Sequence, residues 1–274
     1  MLQTAAKALL GVGLLLAVLS LTLLRSPANT DPHGALTSGP PSTVAAVLTA
    51  STEAPTTTVS LTPLEQAQKD GDRLAVEAAD DQLRVYDRVP PGSNLTRTFP
   101  RKGEFEVTAT FLVESEALDD RGDLWFEIHL PVRPNGSRGW VRAAEVKPLT
   151  MRHELRIDLS EHRLDLYERG AKIRSYPIGV GKGDTPSPVG TFYVAVKVKP
   201  ANPNSVYGVL IMALSGFSEK LTDWPGGGQA GIHGTNDPSK VGTDVSNGCI
   251  RMRNADILEL TNFAPLGTPV VIQE

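Results

Sequence analysis

The chain has 274 residues, and its 27 Lys and Arg against 31 Asp and Glu leave a formal net charge of −4. Hydrophobic residues at 40% and charged residues at 21% match ordinary globular usage, which excludes global disorder and collagen-like structure. The near-neutral charge excludes a dedicated nucleic-acid binder, because no stretch is basic enough to displace a counterion atmosphere. A single cysteine, Cys249, excludes an intramolecular disulfide and any zinc site of several thiolates.

Residues 1–25 hold an uncharged, proline-free run of 17 residues from Ala8 to Leu24, flanked by Lys7 and Arg25. A run of this length sits between a signal-peptide core of ~7–15 residues and a membrane span of ~17–25. It has no polar face, so it does not read as a buried core helix. The expectation is a signal peptide or a membrane anchor. Ser26-Pro27-Ala28 is a weak small-x-small cleavage sequence, which favours the anchor. No cysteine follows the apolar run, which argues against a lipoprotein. Residues 26–63 then change character: Pro, Ser and Thr fill 20 of these 38 positions and no aromatic is present. Such a composition cannot bury enough apolar area to offset chain entropy. A disordered linker over residues 26–69 is therefore expected, holding the remainder outside the cytoplasm, in the cell envelope.

From residue 70 to 148 short β-like runs alternate with turn residues. Candidate strands are Leu83–Tyr86, Glu104–Val113, Trp125–Leu130 and Gly139–Val141, separated by turns such as Pro90-Pro91-Gly92 and Pro134-Asn135-Gly136. A small β-barrel or sandwich is the expectation. The segment from Leu124 to Val141, ending in Gly139-Trp140-Val141, resembles bacterial Src-homology-3-like domains. That resemblance implies a cell-wall-binding module. The alternative for Trp125 and Trp140, favoured by how large aromatics pack in small barrels, is that both are core residues.

Residues 149–274 form the second expected domain, with 13 acidic and 13 basic residues. Leu155–Leu159 and Leu164–Tyr167 alternate apolar and polar residues around Ser160-Glu161-His162-Arg163, the pattern of a hairpin. Further candidates are Lys172–Val180, Gly190–Val198, Val209–Leu214, Gln229–His233 and Thr268–Ile272. One helix is expected after the cysteine, with Asn254 as its N-cap and Ala255–Phe263 as its body. The fold class is thus mainly β: a small barrel, then a β-sandwich-like domain with one short helix. Gly226-Gly227-Gly228 reads as a flexible turn. His233 and Cys249 alone make a poor zinc site, so neither metal nor cofactor is expected.

The informative stretch is Gly231-Ile232-His233-Gly234-Thr235-Asn236, followed by Ser246-Asn247-Gly248-Cys249-Ile250-Arg251-Met252. A thiol is mostly protonated at neutral pH and needs a base or an electropositive setting to act as a nucleophile. His233 has the right pKa range for that base. Gly248 permits unusual φ values, so backbone N–H groups beside Cys249 can converge on an oxyanion. Arg251 supplies positive charge that favours a thiolate or binds a carboxylate; an ion pair with Asp256 or Glu259 is its structural alternative. A free cysteine is usually an inert buried residue and a lone histidine a structural one. Gly-Cys after a turn and His-Gly after a strand, in one exported chain, point instead to catalysis.

His-Gly-Thr-Asn, followed by Ser-x-Gly-Cys-Ile-Arg-Met with Cys249 16 residues after His233, resembles the catalytic signature of L,D-transpeptidases, the YkuD-like family. The resemblance covers roughly residues 150–274, including Tyr-Pro-Ile-Gly-Val-Gly, Thr-Pro-Ser-Pro-Val-Gly-Thr-Phe and the closing Gly-Thr-Pro-Val-Val-Ile. Many members carry His where this chain has Asn247. The resemblance implies a peptidoglycan cross-linking enzyme whose partners are a donor tetrapeptide stem and an amine acceptor. Cys249 would be the nucleophile and His233 the proton donor and acceptor. Gly234, Asn247 and Gly248 would orient the histidine or hold the oxyanion, with Ser246 and Arg251 in contact with substrate. Acylation of Cys249 by carbapenems belongs to the same set of implications.

Two alternatives are separable on sequence. Papain-like peptidases place His after Cys, whereas all five histidines here precede Cys249. Sortases place His first, but with a far longer gap and a Thr-x-Thr-Cys-like context that is absent. An L,D-carboxypeptidase, which passes the acyl group to water, and a catalytically silent wall-binding protein remain open.

Overall fold

Alternating apolar and polar residues close most of the chain into two large sheets, seen in a computed structural model that describes residues 60–274 except Trp224. The apolar run of residues 1–25 and most of the Pro/Ser/Thr-rich linker lie outside the described residues. Among the described residues no helix is long and apolar enough to cross a membrane.

The first sheet contains β1 (Arg73–Ala78), β2 (Gln82–Tyr86), β3 (Leu95–Pro100), β4 (Thr110–Leu118), β5 (Leu124–His129), β6 (Arg138–Arg142) and β7 (Val146–Met151). Their order is β3-β2-β6-β5-β4-β1-β7, so β1 is enclosed between β4 and β7. Leu74, Ala75 and Val76 are consecutive and all buried, because both faces of β1 are covered. The core gathers Leu83, Phe111, Phe126 and Val141. Trp125 is fully buried, with its indole N–H donating to Asp119 at 3.1 Å and the Tyr86 ring edge-on at 5.4 Å. Trp140, on the neighbouring strand, is only half-buried.

The expected linker ends too late. Pro63–Lys69 is a helix, α1, built on a capping box: the Glu65 N–H donates to the Thr62 hydroxyl at 3.2 Å, and the Thr62 N–H donates to the Glu65 carboxylate at 2.9 Å. Leu64 and Ala67, one turn apart, fasten it to the first core. The mainly β expectation holds, with two α-helices rather than one among the described residues.

The second sheet follows the order β10-β9-β8-β17-β12-β13-β14-β16. Its strands are β8 (His153–Asp158), β9 (Arg163–Glu168), β10 (Ala171–Pro177), β12 (Gly190–Val198), β13 (Ile211–Phe217), β14 (Gln229–His233), β16 (Ile250–Arg251) and β17 (Pro269–Gln273). The expected hairpin is β8–β9, with Leu155 opposite Leu166 and Ile157 opposite Leu164. A short parallel ribbon joins β11 (Val180–Gly181) to β15 (Asp244–Ser246). β12 serves two halves: Gly190–Tyr193 pair with β17, and Val194–Val198 pair with β13. The core joins Leu155 and Val270 from one half to Met212 and Ile232 from the other.

The second helix, α2, spans Asn254–Leu260 and buries Ile257 and Leu260. Its N-cap is Arg253, with no side-chain cap bond, and not Asn254. The amide of Asn254 is engaged elsewhere, as described below.

All described residues belong to one compact unit, Thr57–Glu274. β7 runs across the boundary expected at residues 148/149. The two sheets share a wall: Tyr193 of β12 is fully buried in the core of the first sheet, its ring centroid 6.4 Å from that of Phe111. Gly267 (φ +87°) follows the same logic, since a Cβ there would lie 2.7 Å from the Ala75 Cβ.

Candidate active site

The pairing of β14 with β16 decides where the chemistry-bearing side chains point. The two strands run parallel, with Ile232 opposite Ile250 and His233 opposite Arg251. Successive side chains alternate between faces. Ile232 and Ile250 therefore enter the core, at 0% and 1% exposure. His233, Arg251 and, one residue before β16, Cys249 share the other face. A pocket of about 280 Å³ opens there, lined by Cys249, His233, Arg251, Tyr207, Ser218 and Leu221 among others. His233 and Cys249, with fifteen residues of chain between them, are brought together by one ladder.

Each side chain is held in place. The His233 Nδ1 lies 2.6 Å from the Gly234 carbonyl oxygen. A carbonyl only accepts, so Nδ1 carries the proton and Nε2 keeps its lone pair. Tyr207 packs edge-on against the imidazole, centroids 5.1 Å apart. His233 is only 2% exposed, and burial pushes its pKa down to about 4 against the opposing pull of the Gly234 carbonyl, with the Arg251 charge adding to the fall. Burial raises the Cys249 thiol above its ordinary value, while the Gly231 backbone N–H and Arg251 act the other way. The resting pair at neutral pH is thus a neutral thiol and a neutral imidazole with a free Nε2.

The turn before Cys249 is built by Ser246. Its hydroxyl accepts from the Gly248 N–H at 3.1 Å and donates to the Cys249 carbonyl. Gly248 adopts φ +105°, where a side chain is strained, and a Cβ there would meet the Pro186 carbonyl oxygen at 3.3 Å. Two expected roles are narrowed by this turn, although both residues line the pocket. The Gly248 N–H, expected at an oxyanion, is committed to Ser246. Ser246, expected at substrate, is 1% exposed and spends its hydroxyl inside the turn. Asn247 is exposed at the pocket rim, where the Thr185 hydroxyl lies 3.4 Å from its side-chain oxygen.

Arg251 takes neither ion pair considered from sequence. Asp256 lies 3.9 Å from Arg253, and Glu259 lies 3.2 Å from Arg174. The Arg251 backbone exchanges two hydrogen bonds of 2.8 Å with Gly179, which fixes the strand end. Its Nε is buried and has no hydrogen-bond partner among the described residues, and the residue lines the pocket.

Two contributors were not visible in sequence. The Asn254 side-chain oxygen accepts from the Thr235 N–H at 3.1 Å and the Val209 N–H at 3.3 Å, tying α2 to the loop that follows His233. A Cβ at Gly234 would lie 2.2 Å from that oxygen, so glycine is what lets Asn254 approach. Tyr207, the edge-on neighbour of the histidine, sits in a segment without strand or helix pattern. For Tyr207 the one sequence signal is the adjacent Gly208; Asn254 stands 20 residues from Gly234 and drew attention only as a helix cap.

The part of the chain that holds this site is similar to known proteins. The family model of the YkuD L,D-transpeptidase catalytic domain matches residues 152–272. The L,D-transpeptidase YkuD of Bacillus licheniformis is 42% identical over 125 residues, covering 46% of this chain and 68% of that protein. Its Bacillus subtilis namesake is 35% identical over the same shares. Among solved structures, the catalytic domain of the Enterococcus faecium L,D-transpeptidase is 27% identical with a TM-score of 0.33, covering 44% of this chain and 96% of that one. A family match over residues 152–272, joined to two thirds of a 42%-identical relative, places this chain in the YkuD L,D-transpeptidase family.

Proposed function

We propose that the chain is a peptidoglycan L,D-transpeptidase that works through a Cys249 thioester in the cell envelope. The observation that carries this reading is the common face of β14 and β16, which presents Cys249 beside a buried His233 whose Nδ1 is pinned to the Gly234 carbonyl. The donor is a tetrapeptide stem, cleaved between its L-centre and the terminal D-Ala. The Cys249 sulfur attacks that carbonyl carbon while its proton passes to His233 Nε2. The oxyanion is held by the backbone N–H groups of Asn247 and Cys249, since that of Gly248 is taken. Collapse breaks the C–N bond, His233 returns its proton to the departing D-Ala amine, and the thioester remains. A side-chain amine of a second stem then attacks the thioester. His233 accepts the amine proton and returns it to sulfur, restoring the thiol. The unpartnered Arg251 Nε suits a substrate carboxylate.

A neutral resting pair fits this order of events, because the proton moves only as the carbon–sulfur bond forms. The first sheet is proposed to be a Src-homology-3-like wall-binding module. The experiment is mass spectrometry of a disaccharide-tetrapeptide digest. Wild type releases D-Ala and yields cross-linked dimer, whereas Cys249→Ala releases none. Tripeptide without dimer would replace the transpeptidase reading with a carboxypeptidase, and full D-Ala release by Cys249→Ala would end both.

A further inference from the structure

The strongest unassigned feature lies where the turn between β5 and β6 of the first sheet meets the wall of the pocket. The Arg133 guanidinium donates to the Ser218 carbonyl at 2.7 Å and to the Gly227 carbonyl at 2.8 Å, and stacks over the Phe217 ring at 4.8 Å. Two residues on, the Asn135 side chain makes a two-point contact with the Phe217 backbone. It donates to the Phe217 carbonyl at 2.8 Å and accepts from the Phe217 N–H at 2.9 Å. The bonded residues form the neck of the segment that leaves β13 and returns to β14. The Ser218 N–H donates to the Gly228 carbonyl at 2.8 Å, which closes that neck. Gly228 (φ +70°) sits so tightly beneath it that a Cβ would lie 3.2 Å from the Arg133 guanidinium. Ser218, Leu221, Gly226 and Gly228 line one wall of the pocket.

We infer that Arg133 and Asn135 are positioning residues for the donor-stem pocket, so that the first sheet is part of the catalytic apparatus as well as a spacer or wall-binding module. Neither lines the pocket; both act through the neck. A loop closed by one backbone bond has many conformations close in energy, whereas a planar fork on two carbonyls and an amide paired to a backbone amide select one. The wall facing Cys249 and Tyr207 is thereby fixed before substrate arrives, which lowers the ordering cost of binding. The effect belongs in substrate affinity and leaves proton transfer at His233 untouched.

The inference rests on the transpeptidase reading of the Cys249 site, and its test has one arm that does not. In the full chain, Arg133→Ala, Arg133→Lys and Asn135→Ala are compared with wild type by amide hydrogen exchange and by steady-state D-Ala release from a disaccharide-tetrapeptide. Arg133→Ala is expected to speed exchange at the Ser218 amide, which it does not touch, without changing that of β1 or β4. It is expected to raise KM about tenfold to a hundredfold, as loss of two charge-assisted bonds implies, with kcat within about threefold and an unchanged acid limb. Arg133→Lys keeps the charge but not the fork and should fall between. Unchanged Ser218 exchange, or faster exchange with an unchanged KM, overturns the proposal. If wild type releases no D-Ala, the transpeptidase reading fails, and the exchange arm alone decides the clamp.

Discussion

Protonation of His233 offers the sharpest test of how the site is built. Its folded-state pKa of about 4, against the ordinary 6.5, arises chiefly from burial. As pH falls below 6.5 the unfolded chain takes up a proton that the folded chain refuses until about 4. The fold therefore loses stability across that window and is flat in this respect above and below it. The gap is about 2.5 pH units, and at about 1.36 kcal/mol for each it amounts to about 3 kcal/mol. Urea unfolding of wild type and His233→Gln between about pH 7 and about pH 4 isolates the contribution, since every other titrating group is common to both. Wild type should lose about 3 kcal/mol more than the variant. On the proposed mechanism the same group sets the acid limb of kcat/KM, which should fall near pH 4, well below 6.5. Parallel stability curves together with an acid limb at the ordinary histidine value would refute the buried neutral imidazole.

Two further outcomes follow from the same geometry. Iodoacetamide alkylation of Cys249 should climb with pH and still be climbing at the ordinary thiol pKa, because burial raises the thiol; a plateau near neutrality would mean a thiolate–imidazolium pair at rest. Asn254→Ala leaves the Thr235 and Val209 N–H groups without an acceptor and should cost about 2–4 kcal/mol in urea unfolding together with a drop in kcat. Asn254→Asp, which keeps the accepting oxygen, should recover most of both.

The strands that alternate cleanly were legible from residue order. β8 and β9 pair as a hairpin, and β5, β6, β12, β14 and β17 fall close to their expected spans. The strands that escaped notice lack that alternation for identifiable reasons. β1 is covered on both faces, so Leu74-Ala75-Val76 shows no period of two. β3 and β7 are the edges of the first sheet, with few buried positions, and β7 carries Pro148, which an edge tolerates. α1 was hidden by its two-residue apolar stripe inside a Pro/Thr-rich context, although Thr62-x-x-Glu65 spelled out its capping box. At the site, residue type pointed to Cys249 and His233, and the family resemblance to Gly234. What residue type cannot show is which way a backbone N–H points. The Gly248 N–H and the Ser246 hydroxyl are spent on each other, and the Asn254 amide crosses to a loop instead of capping its own helix.

The placement of the pair on one strand ladder has a cost and a benefit that share a cause. Ile232 and Ile250 point into the core from the residues that flank His233 and Cys249 on the chain, so the register that fills the core also sets the separation of the reacting groups. A one-residue slip of β16 would turn Cys249 toward the core and Ile250 toward the pocket. Register on a buried face is strongly specified, so the separation is held more tightly than a loop could hold it. The wall opposite has no such ladder. It is an excursion between β13 and β14, and its neck takes order from Arg133 and Asn135 in the other sheet. Cys249 and His233 are thus placed by the ladder of the second sheet, while the neck beside their pocket takes its contacts from the first. In the full chain the double variant Arg133→Ala/Asn135→Ala removes both clamp residues and leaves the β14–β16 ladder in place; iodoacetamide alkylation of Cys249 should match wild type while KM for the stem rises, and equal loss of both would refute the division.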